Sequence, residues 1–217
     1  MKHEHRDLGE DAWLDYYQEY YSAGHAQEVF ENLRDQLDWE HRDIVVFGKP
    51  VKQPRLIAWA GDIEYRYSGQ TLPARPTPPI LAEIQKRVEE TTGHTFNHVL
   101  LNYYRDGRDN MGMHADDERE LGLNPVIAAL SFGVDRRFLL KRKKSTKGET
   151  PTSMVLEGGS LLVMGGTIQH TWRHGVPKAG RLDRGRINLT FRYLKWAPGE
   201  RPRDQSTEPR RRKDAGE

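Results

Sequence analysis

Residues 126–164 read VIAALSFG-VD-RRFLLKR-KKSTKGETP-TSMVLE-GG-SLLVM, and this stretch decides the fold. It holds four apolar runs, at 126–133, 136–142, 152–157 and 160–164, parted by Gly, Pro and charged residues. Runs this short, closed by turn residues, read as strands rather than helices. The pattern continues on both sides. FNHVLLNYY at 96–104 precedes it, and segments 168–173 and 186–194 (RINLTFRYL) follow. Asp106–Gly107, Gly122, Asn124–Pro125, Gly148, Gly165–Gly166 and Gly175 supply further turns. Many short strands with Gly-rich turns predict a mainly β sandwich or barrel.

Two helices are predicted in front of it. At 26–37, Val29, Phe30, Leu33 and Leu37 share a face. At 78–91, Ile80, Leu81, Ile84 and Val88 do the same, with Thr77 as N-cap, Pro78 and Pro79 in the first turn and Gly93 as the stop. Residues 41–69 read as a meander of short strands. Residues 1–22 are polar and aromatic and are expected to be only partly ordered. From Glu200 onward nothing can be buried. The organisation is therefore an N-terminal extension with one helix (1–40), a small-strand region with a supporting helix (41–95), a β core (96–196) and a disordered basic tail (197–217).

Composition narrows the chemistry. The 217 residues include no cysteine, which excludes disulfides, thiolate metal sites and a thiol nucleophile. No apolar run is long enough to cross a bilayer, and Met1–Glu10 carries no apolar leader, so an intracellular, monomeric protein of cytoplasm, nucleoid or nucleus is expected. Net charge is only +2, yet Arg136, Arg137, Lys141, Arg142, Lys143, Lys144 and Lys147 fall within twelve positions. Such a cluster suits phosphates.

His114-Ala115-Asp116 places an imidazole and a carboxylate on one side of an extended segment. A later histidine, His170 or His174, would complete two His and one carboxylate, the set that leaves one face of an iron ion open. In Arg186-Ile187-Asn188-Leu189-Thr190-Phe191-Arg192 the polar residues alternate with the apolar ones. Two arginines, an amide and a hydroxyl in one row suit a dianionic ligand; a solvent-facing polar side is the plainer explanation. Asn102 and Tyr104 share a strand face and suit the same carboxylate.

These pieces together resemble the AlkB family of Fe(II)- and 2-oxoglutarate-dependent dioxygenases. The resemblance rests on Asn102/Tyr104, His114/Asp116, Trp172-Arg173-His174-Gly175 and the 186–192 motif. Val46-Phe47-Gly48-Lys49, Tyr65-Arg66-Tyr67-Ser68-Gly69, Asp116-Asp117-Glu118-Arg119-Glu120 and Ser131-Phe132-Gly133 bring it nearest to the members that repair duplex DNA. It covers about residues 44–195.

The resemblance implies a double-stranded β-helix (jelly-roll) barrel with N-terminal helices and a nucleotide-recognition lid of short strands. It implies Fe(II) held by His114, Asp116 and His174, with 2-oxoglutarate and O₂ as co-substrates. Asn102, Tyr104 and Arg186 would grip the distal carboxylate; Arg192, with Asn188 and Thr190, would serve the end beside the metal. Tyr67, with Tyr65, would stack on a flipped base, and Asp117 and Glu118 would read its edge or sugar. Phe47 would wedge into the duplex, and Gly48, Lys49 and Arg66 would be further substrate contacts. Lys141, Arg142, Lys143, Lys144 and Lys147 would hold the DNA backbone. The implied reaction is oxidative demethylation of 1-methyladenine and 3-methylcytosine in alkylated DNA. RNA or single-stranded DNA, a small-molecule substrate, or a catalytically silent basic barrel are the alternatives.

Overall fold

The structure, a computed structural model, describes residues 1–46, 49–67, 69–145, 148 and 150–196. In chain order the elements are β1 (Lys2–Gly9), β2 (Ala12–Gln18), α1 (Ala23–Gln36), β3 (Asp43–Val46), β4 (Lys49–Lys52), β5 (Leu56–Gly61), β6 (Tyr65–Tyr67), β7 (Gln70–Leu72), α2 (Pro79–Thr92), β8 (His98–Tyr104), β9 (Met111–His114), β10 (Ile127–Gly133), β11 (Arg136–Arg142), β12 (Thr152–Leu156), β13 (Leu161–Gly166), α3 (Ile168–Thr171), β14 (Trp172–Val176) and β15 (Arg186–Arg192). A single 3-10 turn spans Arg119–Leu121.

A seven-stranded antiparallel sheet in the order β1-β2-β13-β10-β15-β8-β5 is joined by a four-stranded one, β12-β11-β14-β9. This is the jelly-roll. One apolar core lies between the sheets: Ile57, Leu100, Ile127 and Leu162 from the large sheet meet Phe138, Leu140, Met154 and Leu156 from the small one. A second core lies on the large sheet's other face, where α1 (Val29, Phe30, Leu33) and α2 (Leu81, Ile84, Val88) cover it. Strand β15 serves both. Ile187, Leu189 and Phe191 belong to the helix side, so by strand alternation Arg186, Asn188, Thr190 and Arg192 enter the space between the sheets. The two small hairpins, β3-β4 and β6-β7, form two-stranded sheets of their own, and β6-β7 packs Tyr65, Tyr67 and Leu72 into the core between the large sheets. Among the described residues, no helix is long and apolar enough to cross a membrane.

Two expectations are corrected. Residues 1–22 form a hairpin that extends the large sheet, with β2 paired to β13. Ala12, Leu14 and Tyr16 alternate into the core at 0%, 0% and 6% exposure, a period-2 pattern that the dense aromatics obscure. Segment 168–173, expected as strand, begins with the single turn of α3, because the Thr167 carbonyl accepts the His170 and Thr171 amides at 2.8 and 3.0 Å and the Thr171 hydroxyl at 2.9 Å. Extended pairing starts only at Trp172. Strand β9 was not anticipated. The predicted tail at 197–217 lies outside the described residues.

Gly165 and Gly166 end β13 rather than forming a free turn. They pair with Trp13 and Ala12. Gly166 has φ +63°, and a side chain there would strike the Asp11 carbonyl oxygen. Gly166→Ala should therefore loosen the N-terminal hairpin and cost about 2 kcal/mol, combining left-handed strain with overpacking. A lowered urea midpoint with faster amide exchange in β1 and β2 is expected; an unchanged midpoint would show that the hairpin does not contribute.

Candidate active site

Antiparallel pairing of β14 with β9 sets His174 directly opposite His114. Asp116 follows two residues after β9, and the ligand atoms of His114, Asp116 and His174 all lie within 4.8 Å of one another. His170 is not in this group. It is exposed on α3, where its Nε2 accepts the Asn124 amide at 3.4 Å. The alternative that the motif left open thus resolves to His174.

Hydrogen bonds hold two of the three. The Gly112 carbonyl oxygen is 3.0 Å from His114 Nδ1 and, being an acceptor only, takes an N–H from that nitrogen, which orients the ring. Asp116 accepts Arg192 Nη2 at Oδ1, 2.7 Å away, and its amide donates to Gln169 Oε1 at 2.9 Å. Asp116 Oδ2 is buried, has no hydrogen-bond partner and sits 3.9 Å from His174 Nε2. Burial pushes the Asp116 carboxyl up, but Arg192, His174 and His114 outweigh it and hold the group at about 2. Burial and the facing His114 push His174 down to about 3, so its imidazole is neutral. One unpartnered carboxylate oxygen and two imidazoles converge here, which is the donor set of a metal site.

Beside the triad lies a pocket lined by Tyr67, Asn102, Tyr104, Arg186, Asn188 and Arg192 among others. Arg186 is 1% exposed. Its Nη2 donates to Ser131 Oγ (2.8 Å) and Asn188 Oδ1 (2.9 Å), and Asn188 Nδ2 passes the chain on to Thr190 Oγ1 (2.8 Å). Its Nε and Nη1 have no partner, nor do Nε and Nη1 of Arg192. Burial drives the Arg186 guanidinium down to about 10. Burial also opposes the charge on Arg192, but Asp116 outweighs it and raises that group. Buried cationic donors without an acceptor are costly, and a dicarboxylate in the pocket would satisfy them.

Tyr104 lies between two guanidiniums, Arg186 and Arg136, each near 5.3–5.4 Å from its ring centre. Asn102 faces the pocket, but its Oδ1 accepts the Arg55 Nε–H at 2.7 Å. Arg55, 3% exposed, also donates to Tyr67 Oη at 2.9 Å and so ties the pocket to the β6-β7 hairpin. The sequence reading missed Arg55 and Gln169; it placed Arg136 in a cluster suited to phosphates, whereas Arg136 is buried and donates to the backbone carbonyls of Asp106, Asp109 and Pro177. A charged residue heading the apolar run LIAWA was the available signal for Arg55.

The remaining sequence-predicted residues divide. Tyr67 lines the pocket. Tyr65, expected to face a base, is 0% exposed, with its ring edge-on to His98 and beneath the Arg192 guanidinium; it forms the wall behind Arg192. Glu118 is largely enclosed, and burial and Asp116 push its carboxyl up to about 7. Asp117 is bound by Lys143. Arg142, expected on a DNA backbone, turns toward the N-terminal hairpin, donating to Glu10 Oε1 and the Leu8 carbonyl and stacking on Trp172. It pairs with Trp172 across β11 and β14, which fixes that direction. Lys49, Arg66 and Lys144 are exposed and Lys141 is half-buried. Phe47, Gly48 and Lys147 lie outside the described residues.

Residues 14–192 match the family model of the 2OG-Fe(II) oxygenase superfamily. Alpha-ketoglutarate-dependent dioxygenase alkB homolog 3 of Rattus norvegicus is 40% identical over 192 residues, covering 84% of this chain and 64% of that protein. DNA oxidative demethylase ALKBH2 of Homo sapiens is 38% identical over 185 residues, covering 80% of this chain and 70% of that one. The chain thus spans slightly under two thirds of the length of the alkB homolog 3 relative. A solved structure, OsALKBH1, superposes with a TM-score of 0.59 at 16% identity, over 88% of this chain and 100% of that chain, and shares the fold.

Two outcomes follow from the buried charges. Arg186→Met removes an unsatisfied cation, so without ligand it should stabilise the protein by about 1–4 kcal/mol. Added 2-oxoglutarate should raise the melting temperature of the native chain but not of this variant; a retained shift would place the dicarboxylate elsewhere. His98 is buried and unpartnered, and burial lowers it from 6.5 to about 3. The unfolded chain therefore takes up its proton first, and the stability His98 permits is whole above pH 6.5 and lost as pH falls toward 3. His98→Leu should make the fall of the urea midpoint between pH 7 and 5 shallower; an unchanged slope would refute this.

Proposed function

Because the chain belongs to the 2OG-Fe(II) oxygenase superfamily and, within it, to the AlkB dioxygenases, we propose that it oxidatively dealkylates N-alkylated bases, such as 1-methyladenine and 3-methylcytosine, in DNA. The observation that carries the reading is the convergence of His114, Asp116 and His174 beside two buried arginines with unused donors. When bound, Fe(II), 2-oxoglutarate and O₂ supply the oxidation of an N-alkyl carbon, with succinate, CO₂ and, from a methyl group, formaldehyde as products.

The chain's own residues bind, aim and exclude. His114, Asp116 and His174 would hold the metal. Arg192 keeps Asp116 ionised and turns Oδ2 toward the histidines. Arg186, oriented by Ser131 and Asn188, offers a dicarboxylate two N–H donors at the far end of the pocket. Apolar Phe138, Leu156, Met164 and Val176 line the same space and limit water, which strengthens each charge interaction. A base inside a duplex is out of reach, so it must be flipped at a cost of a few kcal/mol. Tyr67, held by Arg55, is the aromatic wall offered to it, and Asp117 and Glu118 are the acidic groups near its edge. Both proposed substrates are cations, which a neighbouring carboxylate favours. On this reading Phe47 acts as the wedge and Lys141, Lys143 and Lys144 meet the backbone.

The test is formaldehyde release from oligonucleotides carrying 1-methyladenine or 3-methylcytosine, single- and double-stranded side by side, and in RNA. Turnover that requires Fe(II) and 2-oxoglutarate and falls at least about 100-fold in His174→Ala is expected. Turnover on RNA alone would move the substrate, and release that survives in His174→Ala would remove the metal assignment.

A further inference from the structure

Lys143 stands where the basic segment after β11 meets the acidic residues after the metal site. Its backbone amide donates to the Thr171 carbonyl at 2.8 Å, which fixes the root of the side chain. Its Nζ donates to Asp117 Oδ2 at 2.7 Å and to the Gln169 carbonyl at 2.8 Å. The side chain of the same Gln169 accepts the Asp116 amide. Lys143 therefore reaches the residue next to a metal ligand. Among the described residues it is the one ion-pair partner of Asp117. The pair is reachable from solvent, with the lysine side chain 24% and the aspartate 52% exposed.

This arrangement conflicts with a simple division of labour. If Asp117 reads a cationic base and Lys143 holds a phosphate, each is spent on the other before substrate arrives. Resting on the dealkylase reading above, we infer that Lys143 is a specificity-determining residue: it masks the Asp117 carboxylate until a substrate phosphate takes over its ammonium group, so that a base on a phosphodiester chain is preferred to the same base alone. The physics is an exchange of partners. An ammonium on a flexible stem is a point charge that accepts any well-placed oxyanion. A phosphodiester chain replaces the carboxylate with a phosphate oxygen while the cationic base replaces the lysine at Asp117, so two ion pairs form as one is lost. A nucleoside brings the cationic base without the phosphate and must leave Lys143 without its carboxylate. The pair is partly exposed and screened, so the discrimination is several-fold rather than several orders.

The experiment compares kcat/KM for formaldehyde release from 1-methyl-2′-deoxyadenosine and from an oligonucleotide carrying the same base. Lys143→Met should raise the nucleoside value by about five-fold, the scale of a partly exposed ion pair, and lower the oligonucleotide value. Lys143→Arg should restore the native ratio. In an Asp117→Asn background, Lys143→Met should no longer raise the nucleoside value, because the two residues act as a unit. Equal loss on both substrates would make Lys143 a brace for Gln169 and overturn the mask. Loss on the oligonucleotide alone would make it a phosphate contact only, and also overturn it. If the native chain releases formaldehyde from neither substrate, the dealkylase reading fails and this one with it.

Discussion

The register between β9 and β14 is the constraint on which the site depends. Because His114 and His174 are direct cross-strand partners, their imidazoles meet at the sheet face without any loop having to place them. A one-residue slip would send one of them to the other face. Arg192 then fixes the third ligand from the opposite sheet, through a bond to Asp116 that is buried at both ends. The three candidate ligands thus come from the small sheet and the segment after β9, while Arg192, which holds Asp116, comes from the large one, so the arrangement exists only while the two sheets stay apposed.

That apposition is maintained by apolar burial on both faces of the large sheet, and it must tolerate a set of buried charges. Arg186, Arg192 and Arg136 are each 1–3% exposed. Arg136 donates from Nη1 and Nη2 to three backbone carbonyls, those of Asp106, Asp109 and Pro177, and leaves only Nε without a partner. Arg186 and Arg192 each leave both Nε and Nη1 without one. Arg136 thus joins β11 to the loops around the pocket, whereas the other two line the pocket with more of their donors unused. Such a site lowers the stability of the empty protein and gains it back on binding.

Much of this was legible in the chain. The alternation in RINLTFR put four polar residues on one face and three apolar ones on the other, and the structure turns the first face into the pocket and the second toward the helices. The strand at 136–142 was placed to the residue, and both helices to within a few positions. What the sequence obscured has physical reasons. Residues 1–22 carry five aromatics among charges, three of them in β2, so the period-2 signal is faint until β13 is there to receive it. The turn of α3 depends on hydrogen bonds to one threonine carbonyl. Arg55 and Gln169 act through contacts distant in sequence, to Asn102 and to Asp116, which no local pattern encodes. Tyr65 was assigned to a base through the family resemblance and Arg142 to a DNA backbone through its basic cluster, and packing gave them other neighbours.

The central claim is that two imidazoles and one carboxylate hold a ferrous ion with a dicarboxylate alongside. Anaerobic addition of Fe(II) and then 2-oxoglutarate to the purified chain, followed by visible absorption, tests it most directly. A weak charge-transfer band that saturates at one iron per chain and appears only with both components is the predicted result. Absence of the band, or one that persists when His114 is replaced by alanine, would contradict the account.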